Sequence, residues 1–471
     1  MNSINGFSFF FEDEVRQIHQ NSLRILDEVG IFLSDPKTLP VLCDNGARAE
    51  SGKVYFPPDL VERCIRNAGK RVTITGRGGA SKTLGDGELY FHNLGGAPQV
   101  FDFATETRRP AMVQDVHDST RVLDALENCH TVTPFFTPTD VPGNIMSLAM
   151  YRHSLPYTLK AVQGPGVQLA SEVEYIVKMA GVIGNPSQVL TLAISPVSPL
   201  TFPGSICQAI TAIAERGIAL GPLPCPTAGT TAPFSIYSAV TQQNAEILST
   251  VVLAELVKPG LPIIYCGRLA MMEPRTGLSV WGGVELGLAS ALTVAVGHHY
   301  GFPVNVYGFS TNAHTLDCQN GFERALNAIL PVLAGADEIS GIGEMEAGVM
   351  GSYSQMVLDN EFANSIKRIR SGIRKDDETI NIISKAMSST HNYLSEKHTI
   401  EWLRSGEVGF TKLAERGSWD NWVDNNKKGM GLRAHQEAER ILREHIVLPL
   451  DPAQEKELDT LLEKACAEII M

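Results

Sequence analysis

PVNVYGFSTNAHTLDCQNGFERALNAILPVLAGADEISGIGEMEAG, residues 303–348, holds one complete structural period and the start of the next. The apolar run that begins at Pro303 reads as a strand, and 308–317 is a loop rich in turn formers. Residues 320–334 place apolar side chains at helical spacing. A second strand starts near Asp337 and runs into the loop 343–348. A strand followed by a helix and a further strand calls for parallel pairing, because parallel neighbours need a crossover connection between them.

Working outward, the same succession recurs without identity between its units. Strands are expected near Leu89, His130, Tyr157, Gln188, Gly217, Pro262, Pro303 and Asp337. The helices that follow them are expected over 115–126, 145–155, 170–182, 204–216, 238–257, 282–300, 320–334 and 353–369. Eight such units close a barrel. The expected fold class is therefore α/β: a (β/α)8 TIM barrel over 88–373, a small N-terminal α+β cap over 1–87 and a C-terminal helical extension over 374–471. An open doubly wound sheet is the alternative, but no G-x-G-x-x-G turn follows the first strand.

In the cap, Asp13 is placed to start a helix carrying Val15, Ile18, Ile25, Leu26 and Val29, and Pro57 and Pro58 open a second. In the extension, a charged turn over 374–379 precedes helices expected at 383–393, 399–403, 433–446 and 453–469. These helices would pack on the barrel or form a subunit contact, and a homo-oligomer is expected.

Composition bounds the function. The 471 residues carry a net charge of -13, so a phosphate backbone is repelled and nucleic acid is not an expected partner. The start MNSINGFSFFFEDEVRQ lacks the features of a secretory leader, and no apolar run reaches the roughly 20 residues that span a bilayer. The eight cysteines form no C-x-x-C pair and read as reduced, mostly buried thiols, so a cytoplasmic protein without membrane contact is expected.

Chemistry in such a barrel is expected in the loops that follow the strands. The loop 308–317 offers Ser310, Asn312, His314 and Asp317, and 343–348 offers Glu344 and Glu346, which would share one face of an extended segment. Asn93, Gln163, Arg268 and Glu273 add polar groups from other strands. Phe135, Phe136, Tyr307, Phe309 and Tyr353 lie on or beside the same loops. The plainer readings are that Asp317 caps the next helix, that His298 and His299 answer a helix dipole, and that the aromatics are core. No zinc-binding pattern, Walker loop or nucleophile elbow appears, so no metal held by this chain is expected. Carboxylates, amides and aromatic faces remain, and these are the groups that bind a permanent organic cation.

The stretch from Gly308 through LDCQNGFERAL, LAGAD and QMVLDNE resembles the trimethylamine methyltransferase superfamily. The likeness continues in IHQNSLRILDEVGIFL near the start and RAHQEAERILREHIVLPLDP near the end. The resemblance implies an enzyme that demethylates an amine and passes the methyl to the Co(I) corrinoid (cobalamin) of a separate partner protein, with no cofactor tightly bound to itself. Members acting on trimethylamine carry pyrrolysine at a position that falls here at Ser310 or a neighbour, and here the residue is ordinary. The resemblance therefore implies the branch that uses quaternary amines, with glycine betaine first and proline betaine, carnitine or γ-butyrobetaine as alternatives. A quaternary ammonium leaves as a neutral amine without needing a proton, and the corrinoid brings the nucleophile. Glu344, Glu346 and His314 are the expected catalytic groups. Asn93, Phe135, Phe136, Gln163, Arg268, Tyr307, Phe309, Ser310, Asn312, Asp317 and Tyr353 are the expected substrate-binding set, with His314, Asn93, Gln163 or Arg268 as holders of a substrate carboxylate. Methyl transfer to a zinc-bound thiol and a non-catalytic betaine binder are the other readings.

Overall fold

The structure, a computed structural model, describes residues 12–389 and 391–470; the first eleven residues of the stretch read for a leader lie outside them. Eight parallel strands form the centre: β1 Tyr90–Asn93, β2 Thr131–Val132, β3 Ala161–Gly166, β4 Leu190–Ile194, β5 Ala219–Pro222, β6 Tyr265–Gly267, β7 Val304–Tyr307 and β8 Glu338–Ile342. Each starts one to four residues beyond the position read from the sequence. They are hydrogen-bonded in the order β5-β4-β3-β2-β1-β8-β7-β6. A parallel bridge between Leu220 and Ile263 joins the two ends of that order and closes the barrel.

The surrounding helices are α1 Val113–Ala125, α2 Met146–Ser154, α3 Ala170–Ile183, α4 Gly204–Glu215, α5 Ile236–Val257, α6 Val284–His299, α7 Cys318–Leu333 and α8 Tyr353–Arg370. Strands packed on both faces are buried throughout: all five residues of β8 and all of β6 are inside. Outward-facing Phe91, Val306 and Ile339 meet the helices in the main core. Several inward-facing positions are polar, among them His92, Gln163, Asn305 and Ser340.

The first helix, Glu12–Arg24, packs on α5. Asp13 lies within its first turn instead of capping it. A hairpin of Val72–Thr75 and Ser81–Leu84 then crosses the strand starts. Its Val72, Ile74 and Leu84 pack on Ala161, Ala219 and Ile264 and floor the barrel.

The last part of the chain holds α9 Thr379–Met387, α10 Lys397–Arg404, α11 Trp419–Asp424, α12 Met430–Glu444 and α13 Pro452–Ile470. The helix expected over 383–393 ends at Met387, and His391 takes a positive φ of 51°. The short α11 has no counterpart among the expected helices; the Ser418 side chain caps it by accepting from the Asn421 amide. Among the described residues, no helix is long and apolar enough to cross a membrane.

Candidate functional site

Alternation along the barrel strands decides what faces inward. His92 of β1, Gln163 of β3, Asn305 and Tyr307 of β7, and Glu338 and Ser340 of β8 point into the barrel. All of these except Glu338, together with Asn93 and Arg268, surround a cavity of about 110 Å3, walled elsewhere by groups such as Cys266, Ile264 and Leu192. The loops leaving β1 and β5 place Leu94 and Leu223 on the side toward the strand ends.

Beneath the cavity lies a network about one carboxylate. Glu338 is wholly buried, and one of its oxygens pairs with the Lys82 ammonium, which rises from the floor hairpin. The other accepts from Gln163 Nε2 at 2.8 Å and Asn305 Nδ2 at 2.5 Å. Lys82 also donates to Thr131 Oγ1 at 3.1 Å. Burial alone would disfavour the carboxylate, but Lys82 and these hydrogen bonds outweigh it and hold Glu338 down to about 2.

His92 is neutral for a related reason. Burial lowers it to about 4 despite the nearby Glu338 charge. The Asn305 amide donates to its Nε2 at 2.8 Å, so its proton sits on Nδ1, facing Thr133 Oγ1 at 3.3 Å.

Arg268 differs from every other charge in the cavity wall. It is 5% exposed and donates to Gly267 O, Asn305 O and Ser340 Oγ at 2.9–3.0 Å, and to Asn305 Oδ1. All of these acceptors are neutral. Its guanidinium carbon stands 4.4 Å from the centre of the Tyr307 ring. Among the described residues, no carboxylate lies within ion-pair reach of it. The positive charge of Lys82 and the negative charge of Glu338 cancel, and Arg268 is left over. A buried charge without a counter-ion is costly unless a ligand supplies one.

Two potential nucleophiles of the wall are held in their unreactive form. Burial pushes the Cys266 thiol up to about 12 and the Tyr307 hydroxyl far above its ordinary value. Both therefore stay protonated.

Of the residues expected from the sequence, Asn93, Gln163, Arg268 and Tyr307 line this cavity. Asn93 is spent within the wall: it accepts from the Thr133 amide at 2.9 Å and donates to Thr133 O at 2.6 Å. The expected aromatic set is not brought together. Phe135, Phe136 and Tyr353 pack on one another, with Tyr353 donating to Asp115 at 2.8 Å, and Phe309 stacks on Phe91. Asn312 accepts from the Trp281 and Gly282 amides at 2.7 Å and fixes a loop. Asp317 caps α7 by accepting from the Asn320 amide at 3.0 Å. Glu273 pairs with Arg275 at 2.7 Å in a surface turn.

The two carboxylates of 343–348 also separate. Gly343 has φ 87°, Glu346 49° and Ala347 56°, so the segment turns and the period of two is lost. A Cβ at Gly343 would lie 2.7–2.8 Å from Met356 and Phe135, so only glycine fits there. Glu346 ends on the rim with Arg108 at 3.0 Å and His314 at 3.5 Å, and His314 is 74% exposed there. Glu344 goes inward, where Ser310 Oγ donates to it at 2.6 Å.

Burial pushes Glu344 up to about 8, against the Ser310 hydrogen bond. Its folded value thus lies above the roughly 4.3 of an unfolded glutamate, so stability falls with rising pH between those values, by about 1.4 kcal/mol per pH unit. Glu344→Gln should flatten that fall. Denaturant unfolding of both proteins at pH 5 and pH 8 tests it: the variant should lose less stability over the interval, and parallel losses would refute the assignment.

Sequence reading missed Lys82, His92, Asn305, Glu338 and Ser340. A signal existed: VNVY, YFHN and DEISG each set a polar residue inside an apolar run. Parallel barrel strands have no solvent face, so such residues must point into the barrel or leave the strand.

A closed eight-stranded barrel with a chamber lined by residues of its strands and strand ends places this chain in the (β/α)8 class. Residues 1–469 match the family model "Trimethylamine methyltransferase (MTTB)", and the chain belongs to that family of methyltransferases. The trimethylamine methyltransferase MttB of Desulfitobacterium hafniense is 28% identical, over 98% of this chain and 94% of its own. A glycine betaine methyltransferase of the same organism is 26% identical, over 98% of both chains. The crystal structure of the Methanosarcina barkeri monomethylamine methyltransferase (MtmB) matches with a TM-score of 0.50 at 14% identity, covering 92% of this chain and 93% of that one. That likeness shows the fold alone.

Proposed function

We propose that this methyltransferase takes a quaternary amine that carries its own carboxylate, glycine betaine first, and passes one methyl to the Co(I) corrinoid of a partner protein. The observation that carries the reading is Arg268, a buried guanidinium on the cavity wall with neutral acceptors only. A substrate carboxylate completes its charge balance. Trimethylamine has no group to offer it. The small volume of about 110 Å3 favours the smallest betaine over proline betaine, carnitine or γ-butyrobetaine.

With the carboxylate at Arg268, the trimethylammonium end would lie against apolar groups of the cavity wall such as Leu94 and Leu223. The chain's own residues would anchor one end of the substrate, hold the other away from water and align the N–CH3 bond with the incoming acceptor. The corrinoid, when its carrier is docked, supplies the nucleophile that Cys266 and Tyr307, held protonated, and His92, whose Nε2 lone pair accepts from Asn305, do not. The amine departs neutral, so no general acid is required of the wall.

The test is direct. Purified protein, glycine betaine and a reduced corrinoid protein are mixed, and the Co(I) absorption band is followed. Its loss with glycine betaine and not with trimethylamine is the expected result. Persistence of the band with every quaternary amine would sink the reading.

A further inference from the structure

The floor hairpin is separate in sequence from the repeating units, yet it contributes a charge to the centre of the barrel. Alternation in the hairpin puts Lys82 on the same face as Leu84, pointing up between the strand starts, and its side chain is 5% exposed. It meets Glu338 from 256 positions further along the chain. Asn305 links this pair to Arg268: its Nδ2 donates to Glu338, and its Oδ1 accepts from Arg268. The uncompensated cation and the compensated anion therefore stand a single amide apart.

We propose that Lys82 is a positioning residue that sets the charge preference of the cavity: by pairing with Glu338 it keeps that carboxylate from neutralising Arg268, so that the charge of Arg268, whose four terminal N–H groups already meet neutral acceptors, is left for a substrate carboxylate to answer. The inference rests on the reading of the cavity given above. Its physical basis is that interactions in a water-poor interior are weakly screened, so an unpaired Glu338 one amide away would offset much of the field at Arg268. Lys82 touches no substrate in this arrangement, and it acts by withdrawing Glu338 from competition.

Calorimetry on the full chain tests this without any corrinoid, using glycine betaine and tetramethylammonium as probes. Lys82→Met should weaken glycine betaine by about tenfold or more, as expected for losing a buried charge's compensation, while tetramethylammonium changes less than about twofold. The double variant Lys82→Met/Glu338→Gln removes both charges and should bind glycine betaine to within about threefold of the wild type, a rescue that a merely space-filling lysine would not give. Glu338→Gln alone leaves Lys82 as an extra cation and should tighten glycine betaine, which keeps the test decisive if Lys82→Met does not fold. Equal weakening of both probes by Lys82→Met, no rescue in the double variant, or no tightening by Glu338→Gln would overturn the assignment. A wild type that binds glycine betaine no better than tetramethylammonium would instead defeat the proposed function, and this inference with it.

Discussion

Arg268→Met should raise the KM for glycine betaine by about a hundredfold, the scale expected when a buried charge partner is removed, with a smaller effect on kcat. Among the described residues, the guanidinium is the charge of the cavity wall left without a counter-ion, and the substrate's carboxylate is its proposed partner. A substrate with no carboxylate, such as tetramethylammonium, should bind the variant about as well as it binds the wild type. Arg268→Lys should fall between, because an ammonium keeps the charge but cannot reach Gly267, Asn305 and Ser340 as the planar fork does. Steady-state kinetics or calorimetry with the two ligands checks this. An unchanged preference for glycine betaine in Arg268→Met would place the carboxylate elsewhere.

The second large effect is on stability. Arg324 of α7 and Asp359 of α8 form an ion pair at 2.9 Å in which neither side chain is exposed. The pair ties together both loops singled out from the sequence. Arg324 donates to Phe309 O at 2.9 Å, and the Gly343 amide donates to Asp359 at 2.7 Å. Burial raises Asp359 to about 6, with Arg324 opposing the rise. Arg324→Met leaves that carboxylate without its counter-ion and the Phe309 carbonyl without its donor, and it should cost about 3–5 kcal/mol. Arg324→Met/Asp359→Leu removes both charges and should recover much of that loss. Denaturant titration of the two variants measures it. A double variant as unstable as the single one would show that the backbone contacts matter more than the charge.

The repeating alternation of apolar run, Gly/Pro-rich loop and amphipathic helix was enough to determine the barrel. Periodicity is local, and parallel strands joined by crossovers have few ways to close. The family was also legible, because LDCQNGFERAL and its neighbours are contiguous in the chain. Asn93, Arg268 and Tyr307 could be named as site candidates because they stand at or just past strand ends.

What the sequence could not settle was which way each side chain points after a glycine with positive φ; a period of two puts Glu344 and Glu346 on one face, and the turn at Gly343 parts them. It also could not show that Phe135, Phe136 and Tyr353 fill the core instead of forming a cage. Least of all could it bring Lys82 to Glu338. That pairing depends on a hairpin folding under the barrel, and a contact between residues so far apart leaves no trace in local spacing. Sequence pattern determined the barrel because its rules act over a few residues. Only the tertiary structure decided the charge balance inside it, because electrostatic compensation depends on distance in space.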